Sequence, residues 1–356
     1  MIGLKKERFS ELFLIILSFF LIGYSFWKPE KAMETVRESL SVFTVSVLPS
    51  LALFSVCAKI LMKSGFTEKL YLLKPIASRL GMSAGGFAAF LIGSFAGFPT
   101  GASVLAELCE KGCMDRKEAE SLLPFCNQAG AAFVIGTVGT SFFGDKNTGV
   151  LLFMAQTVSA FLGICLTASI RREGILQIKA VSRKKQAFFA VITESVRETA
   201  LAMLSVCAFI VFFSLVTEVF STLFLRDMGE VIRVLTGGFL EISTGFGFLA
   251  KADFSWEIRL FLSGILLGAG GISVFFQALD RTEYIFYAPK QYFFGKLLTM
   301  GLCPFMILLF FVCYRWKNSL FLCFFVFFMV VILGFFGVMI VKNGFQRKFC
   351  VLENKN

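Results

Sequence analysis

Long apolar runs, set off by short charged ones, repeat along the whole chain. Glu11 to Trp27 is apolar and follows a basic start with Lys5, Lys6 and Arg8. It ends Tyr24-Ser25-Phe26-Trp27-Lys28-Pro29, aromatic like a membrane interface and without a small-x-small cleavage site, so it predicts an uncleaved first span. Glu34 to Met62 predicts a second, with Pro49 placed to kink it. Leu122 to Phe143, Gly149 to Ile170, Ala187 to Phe220, Ile258 to Leu279, Tyr292 to Tyr314 and Leu320 to Val341 follow. Most are near the ~20 residues that a helix needs to cross a bilayer, and Ala187 to Phe220 is long enough for an interfacial turn plus a span. The prediction is an all-α polytopic membrane protein with about eight transmembrane helices.

Glycines, prolines and amides interrupt the apolar sequence from Gly93 to Phe133, through Pro124 and Asn127-Gln128-Ala129-Gly130, which reads as half of a substrate pathway. Two stretches break the pattern of plain spans. Gly85 to Ala106 is rich in small residues and carries Gly97-Phe98-Pro99-Thr100-Gly101-Ala102; Val231 to Ala250 carries Gly237, Gly238, Gly245 and Gly247. Interrupted backbone survives at membrane depth only where protein buries it or where it lines a watery cavity. Each stretch therefore predicts a re-entrant helical hairpin, the first with Gly97-Phe98-Pro99 near its tip. Interrupted segments of this kind also point to a transporter's binding site. The competing explanation is close packing of helices through small residues. Between the first hairpin and the span at Leu122, Asp115-Arg116-Lys117-Glu118 predicts a capping box. Lys63 to Arg79 predicts a basic, partly amphipathic connection, Asp145-Lys146-Asn147 a turn, Arg171 to Gln186 the most basic loop, and Lys342 to Asn356 a polar tail.

The two halves echo each other. Glu34-Thr35-Val36-Arg37-Glu38-Ser39 returns as Glu194-Ser195-Val196-Arg197-Glu198-Thr199. Gly85-Gly86-Phe87 with Gly93 returns as Gly237-Gly238-Phe239 with Gly245, and Ala129-Gly130 as Ala269-Gly270. The expected organisation is an anchor at 1–32, a first repeat at 33–170, a basic cytoplasmic loop at 171–186, a second repeat at 187–314, and a last helix with its tail at 315–356. With both termini in the cytoplasm, the cytoplasmic segments hold roughly twice the Lys and Arg of the outer ones. The repeats then run in opposite senses across the membrane, as inverted repeats with broken hairpins do in transporters.

Composition agrees and narrows the chemistry. Apolar residues make up 57% of the chain and charged ones 17%, with 47 phenylalanines. Histidine is absent, which removes histidine zinc sites, catalytic histidines and histidine pH switches. Cys109 and Cys113 are the only close cysteine pair, with no second pair to complete a metal site, so no metal and no cofactor are expected. No nucleophile–base pair stands out, so an enzyme is not expected. The net charge of +11 is dispersed over loops, which fits anionic lipid rather than nucleic acid. Glu34, Arg37 and Glu38 share a helix face, as do Glu194, Arg197 and Glu198; local ion pairs at a helix start compete there with a gate or ion site. Glu241 is a carboxylate inside the second broken segment, expensive at membrane depth and hence a functional candidate. Asn127, Gln128, Ser243, Thr244, Ser273 and Gln277 add neutral hydrogen-bonding groups. With Gly97, Phe98, Pro99 and Thr100 they form the expected solute site. Polar contacts between helices are the alternative use for them.

Gly97-Phe98-Pro99-Thr100-Gly101-Ala102, Glu110-Lys111-Gly112, and Glu118-Ala119-Glu120-x-Leu122-Leu123-x-Phe125-Cys126-Asn127 resemble the sporulation integral membrane proteins of endospore formers, within the nucleoside-recognition or Gate domain superfamily. Gly270-Gly271-Ile272-Ser273-Val274-x-x-Gln277 resembles the second-half motif. The resemblance runs from about Met33 to about Tyr314. It implies an inverted pair of hairpin repeats related to concentrative nucleoside transporters. It also implies a role in moving dipicolinate across the outer forespore membrane. Helix N-termini at the hairpins suit such a dicarboxylate, whereas Glu241 suits a coupled cation or proton. The chain departs from the family pattern at Gln128-Ala129, where Asn-Pro is usual, and at Phe275, where His is common. The expected partners are a small-molecule solute, membrane lipid, and a second copy or another sporulation membrane protein. A nucleoside-type solute and a non-transporting assembly role are the alternatives.

Overall fold

The structure is a computed structural model that describes residues 2–168, 187–225, 228–282 and 289–317. Among them every regular element is helical. Helix α1 (Ile2–Trp27) passes through Lys28 into α2 (Pro29–Val42), which opens on a proline, a residue with no amide to leave unpaired. A π turn at Phe43–Val47 joins α2 to α3 (Leu48–Lys63). Pro49 accounts for it. The proline has no N–H and its ring crowds the carbonyl four residues back, at Val45, so the helix widens and the Leu48 amide donates to Phe43 O. The kink expected at Pro49 thus takes the form of a π turn.

A 3₁₀ segment (Phe66–Leu73) and α4 (Lys74–Arg79) lead to the first broken stretch, which folds as α5 (Ala84–Ala96), a tip at 97–99, and α6 (Thr100–Glu110) packed back on α5. Ser83 caps α5 by accepting the Gly86 amide. Helix α7 (Arg116–Cys126) follows. The expected capping box forms only in part. Asp115 caps through the Lys117 amide, not that of Glu118, while Glu118 Oε1 accepts the Ser83 amide at 2.5 Å. That carboxylate therefore ties α7 to the base of the hairpin, a contact between distant residues that local spacing does not reveal.

The expected span at Leu122 to Phe143 is not one helix. It is α7, a break over 127–130, and a π segment at Phe133–Phe142. Asp145 then caps α8 (Lys146–Leu166) through the Asn147 and Thr148 amides. Burial pushes the Asp145 carboxyl up, but the hydrogen bonds from Thr148 and Asn147 outweigh it and leave the group below its ordinary value. The second half runs α9 (Phe188–Phe224), the hairpin α10 (Glu230–Leu240) and α11 (Ile242–Lys251), then α12 (Trp256–Ala269), α13 (Ile272–Thr282) and α14 (Pro289–Lys317). The expected span at Ile258 to Leu279 is likewise split, at Gly270-Gly271, into α12 and α13.

Among the described residues, five helical stretches are long and apolar enough to cross a membrane: Pro29–Lys63, Lys146–Leu166, Phe188–Phe224, Trp256–Thr282 and Pro289–Arg315. Glu11–Trp27 is a shorter apolar helix. The expected loop at Arg171 to Gln186, the span at Leu320 to Val341 and the tail lie outside the described residues. Large apolar side chains such as Phe19, Phe26, Leu53, Leu204 and Phe305 stand exposed on the outer faces, where a bilayer would cover them.

Both halves show the same order of parts: a long helix, a hairpin, a broken helix and another long helix. The glycine correspondence differs from the one read in sequence. Gly85-Gly86 and Gly93 lie on one arm of their hairpin, whereas Gly237-Gly238 and Gly245 straddle the turn. The arms approach closely at Gly93 with Gly101 and at Gly238 with Gly245, where an added Cβ would stand 3.1 Å and 2.3 Å from the facing Cα. Ala129-Gly130 and Ala269-Gly270 do both fall at helix breaks. Glu34 pairs locally with Lys31, but Glu194 and Glu198 cross to Lys63 and Lys59 and fasten α9 to α3.

Candidate functional site at the helix breaks

A helix that stops in the protein interior leaves its last carbonyls without partners, and each must be met from elsewhere. At the end of α7 they are met in sequence. Phe125 O accepts from Gln128 Nε2 at 2.6 Å. Cys126 O lies in the cleft between the hairpin arms, so close that a Cβ on Gly93 or Gly101 would stand 2.1 Å or 1.9 Å from it. Only glycine leaves room for that approach, with Cα–H groups facing the oxygen. Asn127 O accepts from Lys296 Nζ at 2.7 Å, Gln128 O from the Phe98 amide at 2.7 Å, and Ala129 O from Gln156 Nε2 at 2.8 Å. The first hairpin, α8 and α14 each hold part of this break.

The second break is built on related lines. The α12 cap is Gly270, in left-handed conformation at φ 76°, which glycine tolerates without strain. Gly268 O accepts from Thr299 of α14 at 2.8 Å. Gly264 and Gly268 let α14 lie against α12, since a Cβ there would meet Pro304 Cα at 2.7 Å and Met300 Cα at 2.5 Å. Gly271 packs on the tip of the second hairpin, against Gly238 O. In that tip Glu241 caps α11: its Oε2 accepts the Thr244 amide at 2.7 Å and the Thr244 hydroxyl at 3.0 Å. The start of a helix favours a carboxylate, which gives Glu241 a structural reason to be there.

The two tips and the first break converge, joined by α13 beyond the second break. Phe98 from the first tip, Gly130 and Phe133 from the first break, Glu241 and Ser243 from the second tip, and Gln277 from α13 line one cavity of about 10 Å³, with Val47, Leu51 and Ile210. It has room for about one water. Gln277 is buried; its Nε2 donates to Ser273 Oγ at 3.1 Å, and its Oε1 has no partner among the described residues. Val47 ends one π turn and Phe133 begins the other π segment, and π-helical turns often mark functional sites.

The expected site residues thus divide. Phe98, Glu241, Ser243 and Gln277 reach the cavity, and Ser273 supports Gln277. Gly97 backs the first tip against Gly130, where a Cβ would stand 2.5 Å from the Gly130 amide nitrogen. Pro99 begins the second arm, and the Thr100 hydroxyl lies 2.7 Å from that of Ser55. Gln128 turns back to Ser94 and Phe125 O, and Thr244 meets Ser214. Asn127 does not line the cavity; its Nδ2 donates to the Tyr292 hydroxyl of α14 at 3.4 Å.

Lys296 was not among the expected residues. It is 5% exposed, and no carboxylate pairs with it among the described residues. It sits in Tyr292 to Tyr314, which reads as a plain span. A lone lysine inside such an apolar run is itself a functional signal.

The chain is 26% identical over 333 residues to the sporulation integral membrane protein YlbJ of Bacillus subtilis, a match covering 80% of this chain and 79% of that protein. With the apolar helices, this decides the class. The chain is an integral, multi-pass membrane protein. No protein-family model matches it, and no solved structure does.

Proposed function

We propose that the chain carries a small, polar, anionic solute across a membrane of the sporulating cell, by alternating access between two hairpin-containing repeats of opposite orientation. The observation that carries this reading is the meeting of both hairpin tips, the first helix break and Gln277 of α13 at one small enclosed cavity, where Glu241, Ser243 and Gln277 are the polar groups in an otherwise apolar lining. Discontinuous helices that converge in this way form the binding sites of many carriers. A cavity with room for about one water fits a closed, empty stage of the cycle rather than a loaded one. The name of its Bacillus subtilis relative supports a place in sporulation. The motif resemblance supports dipicolinate as the solute, and with it the Gate-type repeat and the outer forespore membrane.

An open crevice of about 480 Å³ lies at the base of the second hairpin, lined by charges of both signs: Lys28, Lys31, Arg233 and Lys251 with Glu34, Glu38, Glu218 and Glu230. It serves this reading as a vestibule on that side.

The test is the dipicolinate content of spores from an endospore-forming host lacking the gene, complemented with wild type, Gln277→Ala or Glu241→Gln. Spores of the deletion strain should lack dipicolinate while mother cells still make it. Both variants should fall well short of wild type at equal membrane levels. Normal filling of the deletion strain, or full rescue by both variants, sinks this assignment.

A further inference from the structure

We propose that the point where the two broken helices end is a cation site, and that the chain fills it with the tethered amino group of its own Lys296. Helices α7 and α12 both stop there with their carbonyl ends inward, capped by Asn127 and Gly270. Lys296 Nζ donates to Asn127 O at 2.7 Å, and a Cβ added to Gly270 would stand 3.3 Å from the same Nζ. Each helix end carries roughly half a negative charge, so two together offset about one positive charge. This explains how a buried ammonium stands without a carboxylate partner among the described residues.

The neighbouring groups fit a cation held by neutral oxygen. The Tyr292 ring lies 5.7 Å from Nζ, and Tyr292 and Asn127 join through their side chains. Thr299, one turn beyond Lys296 on α14, accompanies it by donating to Gly268 O. One face of α14 thus meets the ends of both broken helices.

In carriers built from discontinuous helices, unwound carbonyls and helix C-terminal ends bind a free sodium ion or proton. A tethered ammonium occupies the equivalent electrostatic position and cannot be exchanged. Sodium should therefore neither bind at this place nor be required there. The inference concerns how the breaks are held and is independent of which solute is carried.

The test uses the purified full chain in detergent at constant ionic strength. Wild type should melt at the same temperature in sodium and in N-methylglucamine salts and should bind no radiolabelled sodium specifically. Lys296→Arg, which keeps the charge, should stay near wild type, and Lys296→Met, which keeps the stem without the charge, should melt several degrees lower. Lys296→Ala should also melt lower and should regain stability in methylammonium or sodium but not in choline. Three results overturn the proposal: a wild type stabilised by sodium, a Lys296→Met protein as stable as wild type, or a folded Lys296→Ala protein that neither small cation restores. If Lys296→Ala does not fold, the wild-type sodium measurements and the Arg–Met comparison decide alone.

Discussion

At the scale of single residues, two glycines of the first hairpin, Gly93 and Gly101, are fixed by one oxygen atom. Cys126 O occupies the space that a side chain at Gly101 would need. Gly101→Ala should therefore destabilise the protein by about 3 kcal/mol, the upper range for overpacking. Gly136→Ala, with nothing within 4 Å of its added Cβ, should cost little by comparison. Thermal unfolding of the two variants checks this, and equal midpoints would show that the hairpin yields. Sequence marked the glycine-rich stretch and its tip, because glycine beside proline in apolar surroundings is a local signal. It did not mark the partner of Gly101, which lies on another helix. Lys296 shows the same limit in reverse: the residue was visible, but what makes it matter is the pair of helix ends that only folding brings to it.

At the scale of elements, Pro49 and the π turn before it set where α2 and α3 join, and Val47 of that turn lines the cavity. Pro49→Ala returns the missing N–H and removes the crowding at Val45, so the turn should close to ordinary α-helix and withdraw Val47 from its place. The expected outcome is a higher unfolding temperature together with poorer dipicolinate delivery to spores. A variant with both properties of wild type would separate the π turn from function. Apolar run lengths located the long helices well, because burial in lipid demands about 20 residues whatever the neighbours are. They missed the splits inside Leu122 to Phe143 and Ile258 to Leu279, where small residues keep the hydropathy high while the backbone stops being helical. Asp115 and Glu118 were readable as a capping pair, but the Ser83 amide, distant in sequence, takes Glu118 Oε1.

At the scale of the whole molecule, the two hairpins face each other across the cavity, Phe98 on one side and Ser243 on the other. If the solute passes by their separation, joining them should stop it. In a background without the native cysteines, Phe98→Cys with Ser243→Cys should cross-link through a short bifunctional thiol reagent, and reconstituted vesicles should then lose solute uptake. A cleavable reagent should let uptake return on reduction. Undiminished uptake after complete cross-linking would remove alternating access between the hairpins. The twofold order of parts was partly legible from short matching segments such as Ala129-Gly130 and Ala269-Gly270. The glycine match between hairpins was displaced, since Gly85-Gly86 begins an arm while Gly237-Gly238 ends one.

The first break has a mechanical consequence. Its carbonyls from Phe125 to Ala129 are gripped by different neighbours: its own next turn, the hairpin cleft, Lys296, the Phe98 amide and Gln156. A joint held from so many directions is clamped and does not act as a hinge. If the hairpins move in transport, the first hairpin, α7, α8 and α14 should then move together, and bending is expected at less clamped backbone such as the π turn before Pro49. On that reading the irregular backbone at Asn127 would pass force between helices and leave the bending to the junction of α2 and α3.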